Sequence, residues 1–439
     1  MRRGKVSVKN NLDLHRYLRE YTFFENDPSG VQLKIVPSRP MTRFTTLTGP
    51  GGPLPVYINE FWTSRQRQAA SLHEISYRAC FKPQLPRFFI ELLTEQGDTV
   101  YDPFSGRGTT VLEAALLGRN VISNDVNPLS EILCRPRLSI PDLEEIHQRL
   151  LAIPMDKTRS AEIDLSMFFH RETLGEIVSL QDYLRQRHER CLEDTWDRWI
   201  RMVATNRLTG HSRGFFSVYT LPPNQAASAE RQKKINRNRR QEPEYRDTRS
   251  LILRKSKALL KNMTPEMSHN LRRAGTSALF LEKDARDTPE IAEDTVQLTV
   301  TSPPFLDVVQ YSQDNWLRCW FNAVDVREIE QKLTVTRKLE DWTVVMAGVF
   351  SELFRVTRTG GWVAFEVGEV RSGTVRLEEQ VIPLGLRAGF TCEGVLINQQ
   401  DFTKTSNIWG INNNRAGTNT NRIVLFRKAT RPYRQPASF

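Results

Sequence analysis

Thr99-Val100-Tyr101-Asp102-Pro103-Phe104-Ser105-Gly106-Arg107-Gly108-Thr109-Thr110 decides how the rest of the chain is read. Residues 99–101 are β-formers that follow a polar turn, Gln96-Gly97-Asp98. Asp102-Pro103 ends the strand, because proline brings no N–H to a ladder. Gly106 and Gly108 allow the backbone to bend sharply and to lie close to a ligand. Residues 109–117 predict a helix with Val111, Leu112, Ala115 and Leu116 on one side. A strand, a glycine turn and a helix start in this order present free N–H groups and the positive end of a helix dipole to a bound molecule.

The residue types narrow what is bound. A phosphate loop needs lysine before the Ser/Thr, and a dinucleotide loop needs a third glycine where this chain has Val111. The Asp102 carboxylate disfavours a pyrophosphate and suits an ammonium group. The next strand, residues 120–125, ends in Asp125, about 20 residues on, the usual place for a ribose-hydroxyl acceptor. A ligand with an amine at one end and a ribose at the other is S-adenosyl-L-methionine. An ordinary α/β turn that binds nothing carries the same glycines, so a second anchor matters. Residues 296–301 form a β-rich run that leads straight into Ser302-Pro303-Pro304-Phe305. Two prolines cannot continue a strand, and they stiffen the backbone at its carboxyl end, where open α/β sheets bind ligands. A hydroxyl, carbonyls without local donors and an aromatic face suit a planar base bearing an amino group. The bland alternative is a Pro-Pro loop with a core phenylalanine.

Together the two motifs resemble the amino-group DNA methyltransferases, which act on cytosine N4 or adenine N6. Ser-Pro-Pro-Phe is the form more typical of the cytosine-N4 members. The segment 73–93, with Phe81-Lys82-Pro83, resembles the part of the family that touches the methionine moiety. Asp284-Ala285-Arg286 resembles its adenine-reading turn, and residues 360–368 and 417–426 resemble later core strands. The resemblance covers roughly residues 70–140 and 275–430. It implies an α/β, Rossmann-like S-adenosylmethionine-dependent methyltransferase sheet with helices on both faces, carrying a largely helical basic insertion. It assigns the chemistry to Ser302, Pro303, Pro304 and Phe305. It assigns the cofactor S-adenosyl-L-methionine to Phe81, Lys82, Asp102, Pro103, Phe104, Gly106, Gly108, Thr109, Thr110, Asp125, Asp284 and Ala285, with no metal. Two features depart from the family: Arg107 stands where a small residue is usual, expected to reach phosphate or solvent, and the cofactor loop precedes Ser-Pro-Pro-Phe. An adenine-N6 enzyme, an RNA amino-methyltransferase and a DNA-binding protein with a silent methylase fold are the competing readings. A carbon-5 cytosine enzyme would need a Pro-Cys thiolate, and the chain has no Pro-Cys.

The 439 residues suggest about three domains. No run approaches about 18 apolar residues, and the start, Met1-Arg2-Arg3-Gly4-Lys5, lacks a signal peptide's apolar stretch, so no membrane partner is expected. Five cysteines without C-x-x-C spacing argue for a reducing interior and against structural zinc. The expected location is the cytoplasm of a prokaryotic cell. The expected partition is an N-terminal arm (1–72), a catalytic domain (73–139 and 276–430), an inserted DNA-recognition region (140–275) and a tail (431–439). In the arm, residues 33–36 suggest a short strand, residues 49–53 a turn, and residues 57–61 a strand or a short helix. In the insertion, residues 141–151, 173–191 and 197–204 suggest helices, followed by a glycine turn with aromatics at 211–219. Farther on, residues 341–358 predict a helix burying Val344, Val345, Val349, Leu353 and Phe354, and an Asn/Thr-rich loop fills residues 397–417.

Net charge is +11 with a pI near 9.5, which favours a polyanion partner. Residues 231–261 alone hold twelve Lys/Arg against Glu242, Glu244 and Asp247, a net of +9. A charge run is most often a solvated face. In a chain whose motifs point to a nucleic-acid base, this one is read as phosphate contact through Arg213, Lys233, Lys234, Arg237, Arg239 and Arg240. The partner expected is double-stranded DNA, together with a cognate restriction endonuclease acting on the same site.

Overall fold

The computed structural model describes residues 11–21, 42–50, 52–62, 69–78, 80–223, 225–304, 311–332, 338–370, 375–400 and 419–429. The strands are β1 (Arg43–Gly49), β2 (Gly52–Asn59), β3 (Thr99–Asp102), β4 (Asn120–Asn124), β5 (Leu279–Leu281), β6 (Val296–Thr301), β7 (Thr357–Val367), β8 (Glu369–Val370), β9 (Val375–Arg376), β10 (Thr391–Gln400) and β11 (Asn419–Arg427). All but β8 and β9, which pair with each other, join one sheet in the order β1-β2-β10-β11-β7-β6-β3-β4-β5. From β5 to β7 the pairs are parallel, and β11 then runs antiparallel to β7 and β10. The order reverses at β3, whose neighbours are β4 and β6, so the carboxyl ends of β3 and β6 flank a topological switch point. This is a Rossmann-like sheet.

Strand chemistry explains the layers. In β7, Trp362 and Ala364 pack into one core while Val363, Phe365 and Val367 pack into the other, the period-2 alternation of a strand buried on both faces. On the first face lie α2 (Gln84–Leu93) and α3 (Thr109–Leu116), and on the second α13 (Leu339–Val356) and α14 (Leu377–Ala388). Trp342, Met346, Val349, Phe350, Leu353 and Val356 form the buried stripe of α13. Val344, expected on that stripe, is instead 72% exposed, because the stripe is set by Trp342 and Met346 and position 344 falls on the opposite side.

The N-terminal region supplies part of this sheet. The strands β1 and β2 form an antiparallel hairpin that closes at the Gly49–Gly52 pair, and β2 pairs in parallel with β10 through Val56 and Val395. Residues 57–59 are therefore strand. Buried Asn398 secures the junction: its Oδ1 accepts the Phe61 and Trp62 N–H groups (2.7 and 3.2 Å) and its Nδ2 donates to the Trp62 carbonyl (3.2 Å). The helix α1 (Asn11–Arg19) buries Leu14 and Leu18 in the first core. The expected strand at 33–36, most of the Asn/Thr-rich loop, and the tail lie outside the described residues.

Between β4 and β5 the chain is helical: α4 (Leu129–Cys134), α5 (Leu143–Ala152), α6 (Arg171–Glu189), α7 (Thr195–Arg207), α8 (Ala229–Arg239), α9 (Thr248–Leu260) and α10 (Pro265–Ser277). Side-chain caps set the starts: Asp142 and Asp194 close capping boxes on α5 and α7, and His170 caps α6. The helix α10 packs back on the sheet layer, with Asn270 Nδ2 donating to the Leu116 carbonyl at 3.0 Å. Two arginines from α5 and α6 converge on the start of α7. Arg149 reaches Asp197 (2.7 Å) and Asp194 (2.6 Å), and Arg187 reaches the other oxygen of Asp197 (2.7 Å). Asp197 is fully buried. Asp197→Ala removes the buried acceptor that both guanidinium groups share and leaves them to share Asp194 (2.6 and 3.0 Å); it is expected to cost about 3 kcal/mol, read by urea denaturation, and a change under about 1 kcal/mol would show that the network is dispensable. After β6 come α11 (Tyr311–Asn322) and α12 (Val326–Lys332). No helix among the described residues is long and apolar enough to cross a membrane.

Candidate active site

The residues at the carboxyl end of β3 are stitched to both neighbouring strands. Asp102 Oδ1 accepts the Thr301 hydroxyl (2.7 Å) from the end of β6, and Thr110 donates to the Val300 carbonyl (3.0 Å). The Ser105 hydroxyl donates back to the Asp102 carbonyl (2.9 Å), and the Ser105 N–H reaches the Asn124 carbonyl of β4 (3.0 Å). Gly106 and Gly108 both have positive φ (51° and 75°). A side chain at 108 would collide with Cys134, whose Sγ lies 2.2 Å from where its Cβ would stand. The turn therefore needs glycine there for its φ and for its space.

Arg107 corrects the sequence-based expectation. It is 6% exposed and points beneath the loop, not toward phosphate or solvent. Its Nη1 donates to the carbonyls of His73 (3.2 Å) and Ile75 (2.7 Å), and its Nε to Thr109 Oγ1 (3.2 Å). The glycines on both sides turn the side chain inward, where it binds the carbonyls of the segment at 73–75.

Above this loop opens a cleft with about 1030 Å³ of empty space that includes open solvent. Phe81, Asp102, Pro103, Phe104, Gly106, Thr109, Asp125, Asp284, Ala285, Ser302 and Pro304 all line it, so residues predicted from separate segments share one wall. Lys82, Gly108, Thr110 and Pro303 do not line it, and Phe305 lies outside the described residues. Gly108 and Thr110 are instead part of the loop's support. Tyr77, Arg78, Trp342, Val345 and Met346 also line the cleft and were missed by sequence reasoning. Tyr77 and Arg78 sit in an irregular segment without periodicity. The α13 residues read as ordinary core.

The electrostatics are uneven. Burial pushes the Asp102 carboxyl up to about 7, against hydrogen bonds from the Thr301 hydroxyl and the Phe104 N–H, and Asp125 adds to the rise. Among the described residues no lysine or arginine pairs with it. Burial raises Asp125 to about 6, although it accepts the Gly106 N–H (2.8 Å) and the Asn127 N–H (3.0 Å). A buried carboxylate without a cation fits a ligand that brings one, as the ammonium of S-adenosyl-L-methionine would. Asp284 differs: Arg286 grips both its oxygens (2.9 and 2.6 Å) and holds its carboxyl below the usual range. Any adenine amino group it reads must share the carboxylate with that guanidinium.

A further acid stands behind Ser302. Glu366 on β7 is 8% exposed, and burial raises its carboxyl to about 7, against the lowering pull of the Asn421 amide, which donates to it, and of the Ser302 hydroxyl. A glutamate inside the apolar run Trp362-Val363-Ala364-Phe365-Glu366-Val367 was the available signal. The Pro304 carbonyl accepts Trp342 Nε1 (3.0 Å), which fixes the end of the Ser-Pro-Pro segment.

The basic run divides into two populations. Lys233, Lys234, Arg237, Arg239 and Arg240, on α8 and at its end, are exposed, as is Arg213. Lys233 lies 3.8 Å from Asp164, and Arg239 stacks 3.7 Å over the Tyr219 ring. Farther on, the arginines turn inward as carbonyl ligands. Arg246 binds the Ser212, Phe215 and Ser217 carbonyls (3.2, 2.8 and 2.5 Å), and Arg249 those of Leu150 and Ile153 (2.9 and 2.5 Å). The formal charge of +9 therefore overstates the exposed cationic surface.

Residues 44–130 match the sequence model of the DNA methylase family with N6 and N4 specificities. The Type II methyltransferase M.MjaII of Methanocaldococcus jannaschii is 30% identical over 97 residues, 22% of this chain and 18% of that protein. M.BsoBI of Geobacillus stearothermophilus, also a Type II methyltransferase, is 24% identical over 286 residues, 60% of this chain and 54% of that protein. The chain thus spans about half or less of the length of these relatives. Among solved structures, the DNA modification methylase TTHA0409 of Thermus thermophilus in complex with S-adenosyl-L-methionine aligns at 22% identity over 36% of this chain and 57% of that one, with a TM-score of 0.23. The rRNA methyltransferase aviRa of Streptomyces viridochromogenes aligns at 13% identity over 84% and 94%, with a TM-score of 0.34.

Proposed function

We propose, from the premise that residues 44–130 belong to the DNA methylase family, that this protein methylates the exocyclic amine of a base in double-stranded DNA, with cytosine N4 as the target. One observation carries the reading. At the switch point, a buried carboxylate that no cation pairs with among the described residues, Asp102, is hydrogen-bonded to Thr301, the residue before Ser302. A site for a cationic ligand and a hydroxyl suited to an amine therefore adjoin in one cleft. S-adenosyl-L-methionine, held by Phe81, Asp102, Gly106, Asp125 and Asp284, supplies the activated methyl group.

The chain's own part is alignment. A base in a duplex must be flipped out, at a cost of a few kcal/mol, and Phe305 is proposed as the face on which it stacks, recovering about 1–3 kcal/mol. When Glu366 is ionised, the Ser302 O–H donates to it, which leaves the serine lone pairs free to accept an N4 proton. That bond draws the amine away from conjugation with the ring and aims its lone pair. After transfer the amine is cationic and acidic, and the Ser302–Glu366 pair can receive its proton. The exposed face of α8 is proposed to carry DNA phosphates. Neutralising Lys233, Lys234, Arg239 and Arg240 together is expected to weaken duplex binding and to reduce the salt slope by about four, one per lost contact. An unchanged slope would make α8 a solvated face.

The relatives are named Type II methyltransferases. We extend that setting to this chain: a nuclease that cuts the same sequence is the partner to seek, inside a prokaryotic cell. Incubation with tritiated cofactor and either unmethylated genomic DNA or total RNA, followed by hydrolysis to nucleosides, tests the reading. Labelled N4-methylcytosine from DNA is expected. N6-methyladenine alone would move the target base, label in RNA alone would move the substrate class, and no label in either would leave a DNA-binding protein with a silent fold.

A further inference from the structure

Away from the exposed α8 surface, the C-terminal end of α7 carries a buried cation without a counterion among the described residues. Arg207 is 8% exposed. Its Nε donates to the Asn206 carbonyl (3.0 Å), and its guanidinium lies 4.0 Å over the Phe215 ring. No carboxylate among the described residues pairs with it. Arg254 and Lys255 reach the same place from α9. Arg254 Nη2 donates to the Arg213 carbonyl (3.2 Å), and Lys255 faces Glu74 across 3.6 Å. The turn between Arg213 and Phe215 is thus pinned between the two helices. Gly214 lies against the guanidinium, since a Cβ there would stand 4.0 Å from Arg207 Nη1.

The cluster is like-charged. Burial first, then Arg318 and Arg254, pushes the Arg207 guanidinium down to about 10. Burial, and then Arg207, brings the Lys255 amine down to about 8, against the pull of Glu74. The nearby acids are committed: Asp314 pairs with Arg78 at 2.6 Å, and Glu74, half exposed, is the weak partner of Lys255. Cations gathered and partly desolvated with so little compensation cost folding free energy, and a bound anion would relieve that cost. The location gives the anion a source. Asn206, next to Arg207, accepts the Ser76 N–H (2.8 Å), and Arg318 donates to the Ser76 carbonyl (2.8 Å). The two residues after Ser76, Tyr77 and Arg78, line the catalytic cleft.

We propose that Arg207, Arg254 and Lys255 form a phosphodiester site, set beside the cleft, that holds the backbone of the DNA strand being modified. The proposal rests on the reading of the protein as a DNA methylase. It adds a phosphate contact next to the target base, distinct from the α8 surface. The planar guanidinium of Arg207, with Nη1 and Nη2 not engaged by the protein among the described residues, suits two phosphate oxygens.

The test uses the full chain as wild type, Arg207→Gln and Lys255→Gln. It measures cofactor affinity by calorimetry, short-duplex affinity by anisotropy across a salt series, and Tm with and without inorganic phosphate. The expected result is unchanged cofactor affinity, duplex binding weakened about tenfold in each variant, and a salt slope lowered by about one. Without DNA, Tm is expected to hold or rise, because a repelling charge has been removed. A merely structural arginine would lower Tm and leave the slope alone. If Arg207→Gln loses its fold, the Lys255→Gln slope decides. Equal duplex affinity and slope in wild type and the Lys255→Gln variant overturn the site while leaving the methylase reading intact. A phosphate-induced rise in Tm that the variants lose, with duplex binding unchanged, identifies a free-anion site and also overturns it. A wild type that neither binds nor methylates DNA overturns the underlying reading, and the site with it.

Discussion

Asp102→Ala is expected to weaken binding of S-adenosyl-L-methionine by at least about 30-fold, while the chain stays folded. The size follows from the site. Asp102 is 1% exposed, and no cation pairs with it among the described residues, so an entering ammonium would meet a carboxylate poorly screened by water. Removing one partner of such a buried pair costs about 2–5 kcal/mol, and each 1.4 kcal/mol is tenfold in affinity. Folding should survive because removing an uncompensated buried carboxylate also removes a desolvation cost. Titration calorimetry measures the affinity and a thermal melt checks the fold. An affinity within threefold of wild type would show that the cofactor is held elsewhere.

The same carboxylates predict a pH signature with a definite sign. Asp102 and Glu366 are raised to about 7 and Asp125 to about 6, above the ordinary range near 4. Between about pH 4 and 7 the folded, ligand-free protein therefore binds more protons than the unfolded chain. The stability these groups contribute is fully present below about pH 4 and is lost as pH rises through 6 and 7. Cofactor binding runs the other way, because an ammonium favours ionised Asp102. Affinity is expected to climb from pH 5.5 to a plateau above about 7, with protons released on binding near pH 6.5. Calorimetry in two buffers of different ionisation enthalpy reads that release. In Asp102→Asn the affinity should be lower and its pH dependence flatter. A wild-type affinity independent of pH would mean that Asp102 is already ionised before the ligand arrives.

The parts of the site that sequence exposes are those built from adjacent residues. A β-run, an acid, a proline and two glycines within ten positions state their own geometry, and the loop at 99–110 folds as those residues require. Side-chain direction is less legible. Arg107 reads as outward until its flanking left-handed glycines and the carbonyls of His73 and Ile75 are placed together. Long-range pairing is less legible still. Nothing near Val56 announces that its strand partner is Val395, so the N-terminal hairpin shows in the sequence only as a turn followed, at 57–61, by a run that suits strand or helix alike. Composition misleads in one segment: residues 231–261 count as uniformly basic, yet Arg246 and Arg249 spend their donors on internal carbonyls. Arg207 escapes for the opposite reason. One arginine at the end of a mixed helix has no pattern, and its lack of an acidic partner among the described residues exists only in three dimensions.

Ser302→Ala and Glu366→Gln are each expected to lower turnover about 100-fold while leaving cofactor affinity within about twofold, and the pair should be strongly non-additive. The serine hydroxyl lowers the Glu366 carboxyl against its burial, and the two are proposed to act as one hydrogen-bonded unit beside Asp102. Their proposed contact with the amine would matter most as the nitrogen becomes pyramidal and then acidic, so the loss is expected in kcat and not in ground-state binding. General acid–base groups contribute typically 10²–10⁴-fold, and this pair is placed at the low end because the methyl group arrives already activated. Glu366→Gln keeps the shape of the side chain but offers the serine a donor, which turns the hydroxyl's own proton toward the amine and removes the acceptor. In a Ser302→Ala background the same change should cost less than about threefold, since the relay is already broken. The wild-type rate should rise as pH passes through about 7, where Glu366 ionises, and that limb should vanish in Glu366→Gln. Single-turnover methylation of a duplex at saturating cofactor measures all three. Full activity in Glu366→Gln together with an unchanged pH limb would reduce Glu366 to a buried support for Asn421, and full activity in Ser302→Ala would place the chemistry outside the Ser-Pro-Pro turn.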